Sequence, residues 1–311
     1  MQIIFMGTPD FAVRSLEVLL DSTHVIEAAV TQPDKPKGRH LHLQSPPVKL
    51  LAQDRDIPVL QPSSLNDADF KETISVIAPE AIAVVAYGKI IPPWLLSQPL
   101  HGCINVHASL LPKYRGAAPI QRAIMNGDAE TGVTTILLDE GMDTGDMLLQ
   151  SKVKIDFEDT SGDLAKKLSE EGAKLLLETL NALEENKISP RKQNEEEASY
   201  APKIEKEEAA IDWSMPASAL RDLIRALSPS PGAFTYFKGK RTKIWAAKTP
   251  DGTDSIESSP GSVVGFSSDG IIVATGNQSL VLTIVQAENS RRMPAPEFLR
   301  GHKVEIGEKL G

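Results

Sequence analysis

The chain has 311 residues, of which 41% are hydrophobic and 24% charged, a globular composition with more length than one compact domain usually takes, so two domains are expected. A single cysteine, Cys103, excludes an internal disulfide framework and a cysteine-based metal cage, and fits a reducing cytoplasm. The net charge of −9 argues against a nucleic-acid partner only until it is divided: residues 1–202 carry 19 Lys+Arg against 29 Asp+Glu, residues 203–311 carry 14 against 13.

The opening MQIIFMGTPDF passes from Met1 directly into a short apolar run and a turn, without the basic flank and small-residue cleavage site of a signal peptide. No later run approaches the roughly 18 apolar residues of a bilayer span, so a soluble, cytoplasmic chain with no membrane partner is expected. QIIFM (2–6), VIEAAVT (25–31), AIAVVA (81–86) and INVHA (104–108) are rich in β-branched residues and end in Gly, Pro, Asp or Asn turns. Continuous apolar runs of this kind predict strands buried on both faces of a parallel sheet, and FAVRSLEVLL and PPVKLLAQ between them have helical spacing. The first part is therefore read as α/β, a Rossmann-like open and mostly parallel sheet. Ligands of such sheets sit beyond the carboxyl ends of the strands, so the turns after residues 6, 31, 86 and 107 should converge on one crevice. FMGTPDF resembles a nucleotide-binding βα turn but lacks G-x-G-x-x-G, and no P-loop pattern occurs, which disfavours nicotinamide hydride transfer and P-loop ATP hydrolysis.

GVTTILLD and a strand near 147–155 come next, followed by one long amphipathic helix over 161–185 with Ser161 as its N-cap. The first domain is taken as 1–186, and the polar, charged stretch 187–206 as a linker. In 207–311 a short helix precedes AFTYF, TKIWAAK, GSVVGF, GIIVATG and LVLTIV, five short strands that predict a small C-terminal β-barrel of OB-like type. Basic residues cluster there as Lys238, Lys240, Arg241 and Lys243, and as Arg291 and Arg292, with Arg300 and Lys303 beyond. On charge alone the simpler reading of these clusters is solvated strand edges and loops.

The densest cluster of chemically capable residues lies between 102 and 148. Asn105 and His107 stand two apart at a strand end, so both project from one face and can reach one reacting atom. A neutral imidazole passes a proton near pH 7 and a carboxamide donates to a developing oxyanion, a pairing suited to acyl transfer. Asp143, in the glycine-rich DEGMDTGD, is placed to hold the imidazole's tautomer. A structural histidine and a plain acidic turn fit the spacing as well. Ser109 lies in ASLLP and not in a nucleophile elbow, and Cys103 reads as a small hydrophobe. HLH at 40–42 is weak for zinc, and no metal is expected.

MGTPDFAV, TQPDKPKGR, VVAYGKIIP, INVHASLLPKYRGAAPIQRAI and GDAETGVTTILLDEGMDTGDML resemble the methionyl-tRNA formyltransferase family, strongly over 1–150 and more loosely after 200. The Asn105, His107, SLLP and Asp143 pattern is similar to that of folate-dependent formyltransferases in general, whereas RGAAPIQRAI, DTGDML and the IDW at 211–213 resemble the tRNA enzymes. The resemblance implies transfer of a formyl group from 10-formyltetrahydrofolate to the amine of methionine on initiator tRNA, with Asn105, His107 and Asp143 as the catalytic trio. It implies that the folate donor lies near Tyr87, Gly88, Lys89 and Ile90 and beside the loop Ser109, Leu110, Leu111 and Pro112. It implies tRNA contacts from Lys35, Lys37 and Arg39 in the loop 31–49, and from the basic clusters of a tRNA-binding C-terminal domain. His40, Leu41 and His42 stand where family members commonly have lysines, which leaves Arg39 as the best-supported loop contact. A monomer is expected. The competing readings are a formyltransferase acting on glycinamide ribonucleotide or a nucleotide sugar, against which the extra C-terminal domain counts, and a non-catalytic folate- or RNA-binding relative.

Overall fold

A computed structural model describes residues 1–37, 42–250 and 258–311. Arg39, with His40 and Leu41, lies outside the described residues, as does the side chain of Lys37.

The chain begins with β1 (Gln2–Gly7), α1 (Asp10–Leu20), β2 (Val25–Val30), a short hairpin of β3 (Lys35–Lys37) and β4 (His42–Gln44), α2 (Pro47–Asp54) and β5 (Val59–Leu60). It continues through α3 (Ala68–Ile77), β6 (Ala81–Val85), α4 (Pro93–Leu96), β7 (Cys103–His107), α5 (Pro119–Met125), β8 (Glu130–Leu137), β9 (Met147–Lys154) and α6 (Ser161–Glu184). Seven strands form one sheet in the order β5-β2-β1-β6-β7-β8-β9. The pairings from β5 to β7 are parallel, and β8 and β9 close the edge antiparallel. Burial on both faces explains the uninterrupted apolar runs. In β1, Ile3 and Phe5 enter one core with Leu16 of α1, and Ile4 and Met6 enter the opposite core with Ile74 of α3 and Leu95 of α4. The mostly parallel α/β sheet expected from the sequence is present, with its strand ends where the motifs lie.

The N-cap of α6 lies one residue earlier than expected. Thr160, not Ser161, is the N-cap: its Oγ1 accepts from the Asp163 N–H at 3.2 Å, and its own N–H donates to the Asp163 carboxylate at 3.1 Å, a reciprocal capping box worth about 1 kcal/mol. The Ser161 hydroxyl instead donates to the Ser228 carbonyl at 2.8 Å.

By contacts the chain forms two compact units that alternate along the sequence: residues 1–116, 130–154 and 165–201 make the first, and residues 117–129, 155–164 and 202–311 the second. The second unit contains α7 (Ala217–Ala226), β10 (Ala233–Phe237), β11 (Lys240–Lys248), β12 (Val263–Phe266), β13 (Ile271–Ala274), β14 (Ser279–Ala287), β15 (Met293–Pro294) and α8 (Ala295–Gly301). Its strands form an antiparallel sheet in the order β10-β11-β14-β13-β12, with β15 pairing β14. Trp213, Leu220, Ile224, Phe234, Leu282 and Phe298 are among the residues of its core. α5 belongs to this unit and packs on α7. A linear cut near 207 therefore separates residues that fold together.

Candidate active site

β7 sends alternate residues to opposite sides. Ile104 and Val106 join the core beneath the sheet, Cys103 joins the core on the other face, and Asn105 and His107 project on the Cys103 side toward the strand's carboxyl end. Cys103 is buried and burial pushes its thiol up to about 12, so it is an inert packing residue, as expected. Asn105 is half-buried, and His107 is 6% exposed.

Both nitrogens of His107 face oxygen. Nε2 lies 2.9 Å from the Tyr114 carbonyl, and Nδ1 lies 3.5 Å from Oδ2 of Asp143. A carbonyl only accepts, so Nε2 carries the hydrogen and Nδ1 is the basic nitrogen of the neutral ring. A proton arriving on Nδ1 then makes an imidazolium directly opposite the carboxylate. Tyr114 and Asp143, the two partners, both have left-handed backbones, with φ of +63° and +55°. Non-glycine residues hold that conformation only where their surroundings impose it.

Those surroundings come from three segments. The loop after β8 closes on itself, with Asp139 accepting from the Gly141 N–H at 3.0 Å and from the Thr144 hydroxyl at 2.8 Å. A Cβ at Gly145 would lie 1.9 Å from the Leu137 carbonyl oxygen, so only glycine fits there. The Gly116 N–H donates to Asp143 Oδ2 at 2.8 Å, and the Tyr114 N–H donates to the Ser199 hydroxyl at 2.9 Å. The third segment, 191–201, falls in the stretch expected to be a linker. It makes ordered pairs on both sides of the site: Arg191 with Met147, and Ser199 and Ala201 with the backbone of Arg115. Gln193 and Arg115, neither singled out from the sequence as a site residue, are buried there.

The folate candidates divide by burial. The Tyr87 side chain is 2% exposed in the core, its phenol is pushed up to about 12 by burial, and its carbonyl accepts from Thr8 Oγ1 at 3.0 Å and Gln32 Nε2 at 3.3 Å. Gly88 has φ of +86° and open space at its Cβ position, Lys89 reaches the Ser63 carbonyl at 2.7 Å, and Ile90 is 85% exposed. Ser109, Leu111 and Pro112 are buried, with Leu110 half-buried. Thr134 Oγ1 braces that loop from below, donating to the Ser109 carbonyl at 2.7 Å and accepting from the Leu111 N–H at 3.1 Å.

Lys35 is exposed on the hairpin. The hairpin's base is tied by Asp34, whose carboxylate accepts from Gln61 Nε2 at 2.9 Å, Lys49 Nζ at 2.9 Å and Ser45 Oγ at 3.1 Å, bonds that hold its carboxyl below the usual range with the Gln61 bond first. In the second unit the basic residues separate by partner. Lys238 donates to the Lys303 carbonyl at 2.6 Å and pairs with Glu308, and Arg291 pairs with Glu297 at 2.6 Å. Arg241 lies 3.7 Å over the Phe234 ring and Arg292 3.3 Å over Trp245, while Lys243 lies 5.1 Å from that same indole. Desolvation first, and then Arg241 and Arg292, lower the Lys243 ammonium below its ordinary value. Lys240 is exposed.

Among the described residues no three His, Cys, Asp or Glu side chains group as a metal site, and no helix is long and apolar enough to cross a membrane. Residues 1–180 match the family model described as "Formyl transferase", and residues 203–303 match "Formyl transferase, C-terminal domain". The chain is 49% identical over 311 residues to a methionyl-tRNA formyltransferase of Desulforamulus reducens, covering 100% of this chain and 98% of that one. It is 49% identical to one of Caldanaerobacter subterraneus, covering 100% of both. An N-formyltransferase from Helicobacter canadensis, solved with folinic acid and dTDP-3-aminofucose, shares the fold at a TM-score of 0.68 and 19% identity, over 92% of this chain and 99% of that chain.

Proposed function

This chain belongs to the formyl transferase family, within it to the methionyl-tRNA formyltransferases, and from that premise we propose that Asn105, His107 and Asp143 transfer the formyl group of 10-formyltetrahydrofolate to the amine of methionine on initiator tRNA. The observation that carries this reading is the assembly at one strand end of a carboxamide and an imidazole, with the basic nitrogen of the imidazole facing a carboxylate 3.5 Å away.

The reaction follows from those groups. The methionyl amine attacks the formyl carbon, forming the new C–N bond and a tetrahedral intermediate with an oxyanion. The Asn105 carboxamide donates to that oxygen. His107 Nδ1 takes a proton from the attacking nitrogen, and Asp143 stabilises the resulting imidazolium. Collapse of the intermediate breaks the bond to the folate nitrogen, and the imidazolium of His107 returns its proton to that nitrogen as it leaves. No covalent enzyme intermediate is needed. The donor is placed against the open backbone at Gly88, Lys89 and Ile90, next to Tyr87, and beside the loop 109–112. Incubating the purified chain with 10-formyltetrahydrofolate and charged initiator tRNA, beside glycinamide ribonucleotide, a dTDP-amino sugar and deacylated tRNA, tests the substrate. Formyl-methionine formed only with the charged tRNA is expected, and formylation of either nucleotide in its place overturns the reading.

For tRNA binding we place the weight on Arg241, Lys243 and Arg292, which lie over aromatic rings as Lys238 does but, among the described residues, are not paired to carboxylates as Lys238 and Arg291 are. Arg241→Ala with Arg292→Ala is expected to flatten the slope of log affinity against log salt by about 1.5–2. Lys238→Ala and Arg291→Ala should leave that slope nearly unchanged, since their charges are already opposed. Equal slopes for the two pairs of variants would remove the distinction.

A further inference from the structure

From the bonds around Asp143 we infer that Gln193 is a positioning residue for the formyl transfer, acting with Arg115 and Glu195 to fix the Asp143 backbone so that its carboxylate meets His107. The inference rests on the reading of Asp143 and His107 given above. Gln193 Nε2 spends both hydrogens on the catalytic loop, donating to the Asp143 carbonyl at 2.6 Å and to the Gly145 carbonyl at 2.8 Å. Its Oε1 accepts from Arg115 Nε at 3.0 Å. Arg115 is 1% exposed, and its two remaining guanidinium nitrogens grip the Glu195 carboxylate at 2.8 and 2.9 Å. The Arg115 hydrogen bond holds the Glu195 carboxyl below the usual carboxylate range.

The Gln193 amide is engaged at both ends, its Nε2 donating to two carbonyls and its Oε1 accepting from Arg115, which fixes it in one orientation. That orientation matters because Asp143 has a φ of +55°, a conformation it would leave if its carbonyl were released. The residue after Arg115 completes the clamp, since the Gly116 N–H holds the Asp143 oxygen that faces His107. One buried arginine thus links the two sides of the Asp143 loop, its neighbour binding the carboxylate and its guanidinium binding the amide that holds the carbonyl. A buried guanidinium with each of its three nitrogens bonded, so close to a carboxylate–imidazole pair, has more to do than fill space. The chain 191–195 supplies the amide and its counter-charge from a segment that otherwise runs in irregular backbone.

Gln193→Glu separates positioning from packing. A carboxylate keeps the size and still accepts from Arg115, but has no hydrogen for the two carbonyls. The variant is expected to lose about 10- to 100-fold in kcat with KM for both substrates within about threefold, because a displaced acid–base group costs rate more than binding. Gln193→Ala should lose a similar factor in the parent chain, yet less than about twofold in an Asp143→Ala background, where nothing remains to be positioned. Glu195→Gln, at the solvent end of the chain, should show a smaller loss of kcat. A Gln193→Glu kcat equal to the parent's, or an equal loss from Gln193→Ala in both backgrounds, overturns the inference. Parent-like turnover by Asp143→Ala itself overturns the reading of Asp143 on which it rests, and is scored separately.

Discussion

His107→Ala is expected to slow single-turnover formyl transfer by about 10²–10⁴-fold, the usual worth of a positioned acid–base group, while folate binding stays close to that of the parent chain. The size of the loss follows from the surroundings of the ring. Its Nε2 is committed to the Tyr114 carbonyl and its Nδ1 faces Asp143, so truncating the side chain removes the proton-accepting nitrogen that the carboxylate is placed to support. Tyr114 and Asp143, whose backbones lie in the left-handed region, are both partners of this one ring. Tyr114 meets the ring through its carbonyl. A parent-like rate for His107→Ala would leave the strained pair without a function and would remove the histidine from the mechanism.

The strands that carry the site were legible because burial on both faces leaves a plain mark. In β1 and β7 neighbouring residues enter opposite cores, so no polar residue interrupts the run until the carboxyl end, where Asn105 and His107 stand out. The hairpin of β3 and β4 left no such mark. Lys35, Pro36, Leu43 and Gln44 are exposed, and what anchors the hairpin is the Asp34, Lys49 and Gln61 cluster, whose members lie 15 and 27 residues from Asp34 and follow no local period. The same reason hid Gln193. Arg115 sits inside the RGAAP motif, but its partner is 78 residues away in a stretch whose composition reads as linker. Polar composition reports that a segment has no core of its own; it does not report that another segment needs its hydrogen bonds. Charge behaved likewise in the second unit. The basic clusters were visible, whereas the commitment of Lys238 to Glu308 and of Arg291 to Glu297 depends on the sheet and helix that bring them together. The cap of α6 was missed by one residue because Thr160 and Ser161 are both good cap residues, and only the reciprocal bond with Asp163 decides between them.

Asn105→Ala is expected to cost about 10²–10³-fold in kcat, the range found when one oxyanion donor is removed from a preorganised site. Asn105 is held by β7, where its neighbours pair with β6 on one side and β8 on the other, so the carboxamide stands on rigid backbone and needs no rearrangement as charge develops on the formyl oxygen. The donor acts in the transition state more than in the ground state, because a formyl oxygen carries little charge until the amine has attacked. The loss should therefore appear in kcat and in kcat/KM alike, with KM for the folate donor little changed. Asn105→Asp sharpens the test. It keeps the shape of the side chain but turns a donor into a second negative charge beside the forming oxyanion, so its rate should fall below that of the alanine variant at pH 7. Raising KM with kcat intact in Asn105→Ala would make the residue a binding contact, and an aspartate variant faster than the alanine variant would remove the oxyanion role.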